Sequence, residues 1–314
     1  MKTASRTSTG FLLLLVLVIG VALGLLIARP LLHSGDDAAK ESVDPHEGQV
    51  YLYDGVDWVW MTPLEGVPVN AFTKEDFSLS GETPYYLGTG YETLLGVDVA
   101  EHQYEVDWQQ VKNAGYDFAF IRIGRRGYTE GGLFNDPWFE KNYQGAKENG
   151  LLVGVYFYSQ AISEEEAREE AAFVLDRLNQ RELDLPIVFD LERVENEDAE
   201  FARTRDLDME TRTDCALRFC QEVEENGYSA AIYFNRTVGY YGYDLSRLTD
   251  YPFWFALYLN PPELFWPSFY YKVDYWQYHD QATVPGIEGP VDVNMIFRPI
   301  PEPNPEPTAA EGDA

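Results

Sequence analysis

Four carboxylates stand at or near the ends of short apolar runs, where a buried strand would reach the surface. They are Asp98, Asp190, Glu192 and Asp292, and two of them share the run LPIVFDLE. Asp190 and Glu192 are two residues apart, so on a strand both side chains project to the same face. A partly desolvated carboxyl group has a raised pKa, which suits it to donate a proton as a general acid.

Paired carboxylates of this kind fit the cleavage of a glycosidic bond. That reaction needs one acid to protonate the leaving oxygen and a second carboxylate to manage the developing positive charge. A purely structural alternative is that Asp190 and Glu192 mark the solvated end of a strand and pair with Arg122 or Arg193. The spacing alone leaves both interpretations open.

Aromatic side chains on or beside the same predicted strands would offer flat faces to sugar rings. They are Tyr156, Tyr158, Tyr233, Trp254, Tyr258 and Trp276. For any single one of them, packing in a core is the simpler interpretation. Together with the four acids, they make a sugar-binding cleft the best hypothesis for the site.

Composition and the remaining motifs disfavour several other classes of protein. The chain has 23 Lys+Arg against 53 Asp+Glu, a formal charge of −30, whereas nucleic-acid binding needs clustered cations. No G-x-S-x-G, H-E-x-x-H or G-x-G-x-x-G motif is present, and two cysteines cannot build a four-ligand zinc site. We therefore expect no metal, no organic cofactor and no nucleic-acid partner.

The elements that must position these residues form a repeating pattern. Eight apolar runs alternate with amphipathic stretches, at 94–99, 118–123, 151–158, 185–192, 229–234, 253–259, 273–278 and 291–296. Helices are predicted between the earlier runs, at 108–114, 135–149, 163–178 and 211–225, the third opening with a capping box at Ser163 and Glu166. Such alternation predicts an α/β fold, and eight runs favour a barrel over an open, doubly wound sheet.

The N-terminus predicts a membrane anchor. Residues 11–28 contain no charge and would span roughly 27 Å as a helix, close to the thickness of a bilayer core. Lys2 and Arg6 precede this run, which places residues 1–10 in the cytoplasm and the rest of the chain outside the cell. A cleaved signal peptide is the alternative, but its apolar region is usually shorter.

The rest of the chain divides into an accessory part and one large domain. Residues 29–50 are predicted to be an acidic linker, and residues 51–91 a β-rich or irregular extension with clustered aromatics. These aromatics are expected to pack on the neighbouring domain more than to bind sugar. Residues 92–300 form the predicted barrel, and 301–314 a disordered tail rich in proline and acid.

An ordered set of motifs resembles glycoside hydrolase family 25, the Chalaropsis-type lysozymes. The set begins with GVDVAEHQ (96–103) and includes PIVFDLE (186–192), which resembles the D-x-E strand of that family. The remaining motifs are VDW (106–108), FIRIGRRGY (120–128), NDPWF (135–139), GVYFYS (154–159), AIYFN (231–235), FWFALY (253–258), YWQY (275–278) and GIEGPVDVN (286–294). The resemblance covers about 92–300.

This resemblance implies a flattened, TIM-like (β/α)5(β)3 barrel with N-acetylmuramidase activity on peptidoglycan. Carried over by position, Glu192 would be the general acid and Asp190 would stabilise the transition state, with Asp98 and Asp292 as supporting acids. Whether the substrate's own acetamido group or a water attacks stays open. Tyr156, Trp276 and Gln277 would contact substrate, in a catalytic domain expected to be monomeric.

Two other functions compete with this hypothesis. The first is a membrane-anchored scaffold that binds peptidoglycan in the same cleft without cleaving it. The second is a chitinase-like barrel, which is disfavoured because Val188 and Phe189 occupy positions where that family carries further polar residues.

Overall fold

A computed structural model of the chain describes residues 44–194, 199–258 and 265–301. None of the helices in these ranges has the length and apolar composition that spanning a bilayer requires. The predicted anchor at 11–28, most of the linker and the tail beyond residue 301 lie outside the described residues.

The described chain alternates strands and helices over most of its length. In chain order the strands are β1 (Val50–Tyr53), β2 (Trp58–Met61), β3 (Phe77–Ser80), β4 (Thr83–Tyr86), β5 (Tyr91–Val99), β6 (Phe118–Arg126), β7 (Leu133–Asn135), β8 (Leu152–Tyr158), β9 (Ile187–Asp190), β10 (Ala230–Asn235), β11 (Phe253–Ala256), β12 (Tyr275–Ala282) and β13 (Val291–Pro299). The α-helices are α1 (Trp108–Asn113), α2 (Phe139–Glu148), α3 (Glu164–Leu178), α4 (Met209–Glu225) and α5 (Arg236–Tyr241). Short 3₁₀ turns lie at Lys74–Asp76, Glu101–Gln103, Ala199–Phe201 and Leu245–Arg247.

Eight of the strands close into a barrel, which confirms the predicted α/β barrel. The order is β5-β13-β12-β11-β10-β9-β8-β6, and β5 pairs with β6 to complete the ring. The pairings from β5 through β12 are parallel, whereas β13 runs antiparallel to both β12 and β5. Each of β5, β6, β8, β9 and β10 is followed by a helix, so the first five strands form β/α units.

Side-chain alternation along each strand divides the apolar residues into two cores. On β6, Phe118 and Phe120 face the barrel interior, while Ala119 and Ile121 belong to the layer between sheet and helices. Phe120 stacks on Trp254 at 4.5 Å between ring centroids, in the centre of the interior. The barrel is therefore filled with side chains, and its chemistry must lie at an open end.

The start of α2 and the capping box of α3 differ from the prediction. Asn135 ends β7, and α2 begins only at Phe139, because Asp136 turns the chain by accepting from the Trp138 N–H. Ser163 caps α3 as predicted, accepting from the Glu166 N–H at 3.4 Å. The Glu166 carboxylate, however, accepts from Ile162 N at 3.0 Å and not from the cap residue itself.

The segment before the barrel folds as two hairpins that belong to the same compact unit as the barrel. Strands β3 and β4 carry Phe77 and Tyr86, whose rings pack against Phe297 of β13. Strands β1 and β2 pair in the same way, but their aromatic side chains remain exposed. Aromatic side chains of the second hairpin therefore pack on the barrel as expected, whereas those of the first hairpin stay exposed.

Removing the ring of Phe120 should destabilise the barrel strongly. We expect Phe120→Ala to lose about 3–5 kcal/mol of unfolding free energy, since Phe120 is fully buried and its absence leaves a cavity beside Trp254. Urea denaturation followed by tryptophan fluorescence measures this loss. Leu87→Ala, at a side chain that is 61% exposed, is the control and should move the midpoint little. Equal midpoints for the two variants would contradict the described interior.

Candidate active site

The four predicted acids meet in one cleft at the carboxyl ends of the parallel strands. The cleft has a volume of about 220 Å³. Its walls are formed by Asp98, Asp190, Glu192 and Asp292 together with Ala100, His102, Gln103, Arg122, Tyr156, Tyr158, Tyr233, Trp254, Tyr258 and Gln277. All but one of the residues predicted from the sequence for the site are therefore brought together.

Strand register accounts for this convergence. Asp98 near the end of β5 lies directly opposite Asp292 on β13. Asp190 ends β9 in register with Tyr158 on β8 and Tyr233 on β10. Side chains at paired positions on neighbouring strands share a face, so acids and tyrosines from five strands point into the same space.

A hydrogen-bond network holds the Asp98 carboxylate. Its Oδ2 accepts from Gln277 Nε2 at 2.9 Å and from Asn294 Nδ2 at 2.7 Å. Gln277 is oriented by Tyr233 and Tyr258, whose hydroxyls donate to its Oε1 at 2.9 and 3.1 Å. The Trp254 indole donates to Asn294 Oδ1 at 2.9 Å, which directs the amide of Asn294 toward Asp98.

Crowding of buried carboxyl groups shifts their protonation. Burial raises the pKa of Asp98 to about 6, against the opposing effect of its amide donors. Burial and the adjacent Asp98 raise the pKa of Asp292 to about 9. Burial, Glu192 and Asp98 raise the pKa of Asp190 well above its ordinary value. At neutral pH the arrangement favours an ionised Asp98 beside a protonated Asp292 that donates to it.

Asp190 presents an unsatisfied atom to the cleft. Its Oδ1 is buried and has no hydrogen-bond partner among the residues that the structure describes. A buried polar atom without a partner is costly, and a group that enters the cleft with an N–H or O–H donor would remove that cost. Asp190 is therefore suited to hold a ligand.

The backbone on either side of Glu192 is fixed by residues that the sequence analysis missed. Gln160 Nε2 donates to the Glu192 carbonyl at 3.2 Å, and Thr204 Oγ1 donates to Gln160 Oε1 at 2.7 Å. Arg212 Nη1 donates to the carbonyl of Leu191 at 2.9 Å. These donors lie 21 to 44 residues from their acceptors in sequence, so local patterns gave no signal for them. Asn294 was also missed, although it follows Asp292 at the i+2 spacing of a shared strand face.

Arg122 lies in the cleft wall but forms salt bridges with acids other than the four described above. Its Nε binds Asp136 at 2.9 Å and its Nη2 binds Glu101 at 2.9 Å. The sequence also allowed Arg122 to form a salt bridge with Asp190, but Arg122 instead pairs with Asp136 and Glu101. Its charge still favours the ionised forms of Asp190 and Tyr156.

Trp276 is the predicted substrate-binding residue that the structure does not bring to the cleft. Alternation on β12 places Gln277 inside the barrel and Trp276 on its outer side. Trp276 is fully buried there, edge-on to Phe77, and its indole donates to the Leu257 carbonyl at 2.9 Å. Its role is packing of the extension against the barrel.

Within 44–194, 199–258 and 265–301, no group of three or more His, Cys, Asp or Glu side chains is arranged to hold a metal ion.

Comparison with known proteins identifies the class to which this fold and site belong. The model of the glycosyl hydrolases family 25 matches residues 97–287. YegX of Escherichia coli K12 is 30% identical over 220 residues, covering 67% of this chain and 72% of YegX. Lysozyme M1 of Streptomyces globisporus is 25% identical over 208 residues, covering 65% of this chain and 67% of that protein.

A solved structure shares the same fold. The family 25 glycosyl hydrolase from Bacillus anthracis superposes with a TM-score of 0.53 at 23% identity, covering 66% of this chain and 89% of that one. The chain belongs to glycosyl hydrolase family 25 and is an enzyme of the lysozyme class.

The acid cluster should make stability depend on pH. Asp292 has a folded pKa of about 9 against an ordinary value of 3.8, so between these values unfolding releases its proton and stability falls as pH rises. Asp292→Asn removes this titration and keeps a donor toward Asp98. We expect the urea midpoint of Asp292→Asn to fall less than that of the wild type between pH 4 and pH 9.

The control is Asp206→Asn, since the Asp206 side chain is 93% exposed, and this variant should follow the wild-type dependence. Parallel curves for Asp292→Asn and wild type would show that Asp292 is not held protonated in the folded state.

Proposed function

We propose that this enzyme hydrolyses the β-1,4 bond between N-acetylmuramic acid and N-acetylglucosamine in peptidoglycan. The observation that carries the proposal is the pair Asp190 and Glu192 at the end of β9, in a cleft walled by tyrosines. The relationship to Lysozyme M1 supports the choice of bond. The four acids of the family pattern are all present at this cleft, which supports catalysis over a binding scaffold.

In this proposal Glu192 protonates the leaving glycosidic oxygen. Its backbone is held by Gln160, and the backbone beside it by Arg212, so the carboxyl group lies on a segment after β9 whose backbone is anchored by hydrogen bonds. A general acid must be positioned before it can act, and this support reduces the reorganisation needed in the transition state.

Asp190 stabilises the positive charge that develops at the sugar carbon. Its unpartnered Oδ1 can accept the N–H of the substrate's acetamido group, which would orient the acetamido oxygen toward that carbon. The same carboxylate would stabilise an oxocarbenium-like centre during direct attack by water. Both routes use the same residues, and in both Asp98 and Asp292 supply the supporting charge and hydrogen bond.

The tyrosines define where the sugar lies. Tyr158 and Tyr233 flank Asp190 on the neighbouring strands, and Tyr258 bonds Gln277 at the floor of the cleft. Their rings offer apolar faces to the C–H side of a pyranose, while their hydroxyls remain within a polar network. This combination suits a carbohydrate better than a wholly apolar or wholly charged ligand.

Replacing the acid should abolish hydrolysis without unfolding the protein. We expect Glu192→Gln to lower the release of reducing ends from purified peptidoglycan at least about 100-fold, the range for loss of a general acid, and Asp190→Asn to lower it similarly. Mass spectrometry of the wild-type products should find muramic acid at the reducing end. Glu164→Gln, at an exposed carboxylate on α3, is the matched control and should retain wild-type activity.

Other outcomes of this assay would overturn the proposal. A folded wild-type protein that binds peptidoglycan but releases no reducing ends would be a binding scaffold and not a hydrolase. Products with N-acetylglucosamine at the reducing end would assign a different bond.

We further propose that the enzyme is tethered to the outer face of a bacterial membrane and remodels the wall of its own cell. The uncharged run at 11–28, preceded by Lys2 and Arg6, supports this. A tether limits the enzyme to wall within reach of the linker, which suits remodelling better than attack on distant cells.

Fractionation tests the tether. We expect a membrane-bound chain with the intact mass of 35.9 kDa that resists extraction by alkaline carbonate. A chain shortened by roughly 30 residues and found in the medium would instead establish a cleaved signal peptide.

A further inference from the structure

The first hairpin carries an exposed row of aromatic rings. Tyr51 lies opposite Trp60 and Tyr53 opposite Trp58, so all four side chains project from one face of the β1–β2 ribbon. They are 55%, 47%, 37% and 62% exposed in that order. Tyr51 stacks on Trp58 at 5.4 Å, and the row continues through Trp60 to His46, stacked at 4.0 Å. The hairpin precedes residue 97, where the family match begins.

The turn of this hairpin is held against α5 of the barrel. Asp54 closes the hairpin turn by accepting from Val56 N and Asp57 N, each at 2.8 Å. Its second oxygen accepts from the Tyr241 hydroxyl of α5 at 2.6 Å. Gly55 adopts φ +113°, and a Cβ there would lie 2.7 Å from Thr237 Oγ1, so the turn and α5 are in close contact. The turn that carries the rings is therefore anchored to the barrel.

A cavity of about 660 Å³ lies between this hairpin and the barrel. Tyr51, Tyr53 and Trp58 form one side, and Trp266 and Phe269 are among the residues of the other. Two cationic side chains, Lys74 and Arg236, also line it, in a chain of formal charge −30. The cavity thus combines flat apolar walls with local positive charge.

Arg236 lines this cavity with one of its nitrogens unpartnered. The residue is almost fully buried at 6% exposure, and its guanidinium lies 5.4 Å from the centre of the Tyr53 ring. Its Nη2 donates to the Ser268 carbonyl and hydroxyl at 2.7 and 2.6 Å. Its Nε is buried with no acceptor in the part of the chain that the structure describes. A ligand oxygen would satisfy this donor.

The cavity lies near the catalytic cleft along the chain. Tyr233 lines the cleft and Arg236, three residues further along, lines the cavity. Three residues of chain span at most about 11 Å, so the Cα atoms of these two residues lie within that distance.

We infer that the cavity between the β1–β2 hairpin and the barrel is a second glycan-binding site, in which sugar rings stack on Tyr51 and Trp58 while a carboxylate of the peptidoglycan strand binds Arg236. The inference rests on the proposed function for its substrate class. A sugar polymer matches the site because each pyranose offers a C–H face to the rings and oxygen acceptors at its edge.

Two other occupants fit less well. The hairpin at 50–61 contains no Lys or Arg with which to bind an anionic bilayer, and a second copy of this chain would carry the same acidic charge. A carboxylated glycan needs only the local charge of Lys74 and Arg236.

Co-sedimentation with purified peptidoglycan sacculi tests the site. Binding is measured on the full-length protein in a Glu192→Gln background, where no strand is cut. We expect Tyr51→Ala combined with Trp58→Ala to weaken binding roughly tenfold, since two aromatic contacts are lost at exposed positions that the fold does not need. Tyr85→Ala on the second hairpin, 49% exposed, is the matched control and should bind as the parent does.

A soluble probe identifies the group that faces Arg236. Muropeptide fragments bearing carboxylates should displace the parent protein from sacculi at roughly tenfold lower concentration than neutral N-acetylglucosamine oligomers, and this preference should disappear in Arg236→Gln. Equal competition by the two probes would overturn the carboxylate assignment.

The outcomes separate this inference from the proposed function. With Glu192 restored, the double variant should lose activity on sacculi and retain it on short soluble fragments, which do not reach the hairpin. Unchanged sacculus binding by the double variant overturns the inference even if hydrolysis is normal. Weakened binding in a protein without hydrolytic activity would sustain it while the hydrolase proposal fails. If the double variant altered only how the protein sediments in the absence of sacculi, the hairpin would be a contact between copies of this chain, and the inference would be overturned.

Discussion

The Asp98 carboxylate, bound by two amides in the closed barrel, is the interaction on which the site depends. Asp98 lies on β5, Gln277 on β12 and Asn294 on β13, so the hydrogen bonds connect three consecutive strands of the ring. These strands include both antiparallel pairings, at the point where the chain returns to its first strand. These hydrogen bonds accompany the register that places Asp292 opposite Asp98, in which β13 closes the sheet on β5.

The cleft gains its chemistry from an arrangement that costs stability. Carboxyl groups from three strands share a small, partly desolvated space, and burial raises the pKa of Asp98, Asp190 and Asp292. The protein offsets this cost in part, through the amide donors to Asp98 and a proton kept on Asp292. Asp190 Oδ1 has no such compensation within the described chain, and this is the position that substrate is proposed to fill.

A second buried hydrogen-bond network connects helix α3 to the backbone of Glu192. Glu170 of α3 binds Arg126 at 2.7 Å and accepts from the Ser159 hydroxyl at 2.6 Å. Burial raises the pKa of Glu170 to about 7 despite that arginine. The same carboxylate accepts from Gln160 N, and Gln160 holds the Glu192 carbonyl. Helix α3 is thereby connected to the backbone of Glu192 through hydrogen bonds, and not only through apolar packing.

Local patterns in the sequence determined the elements and which residues share a face. The eight apolar runs became the eight barrel strands. Asp190 and Glu192 both line one cleft, as expected, but β9 ends at Asp190 and Glu192 lies two residues beyond it, so a shared strand face is not the reason. Tertiary structure alone decided that Gln277, and not its neighbour Trp276, faces that cleft, and that Asn294 reaches Asp98 from 196 residues away. It also left the rings of the first hairpin exposed while packing Phe77 and Tyr86 of the second against β13. The physical reason is that a period of two identifies two faces of a strand, whereas only closure of the sheet and the register of distant strands determine which face is the interior.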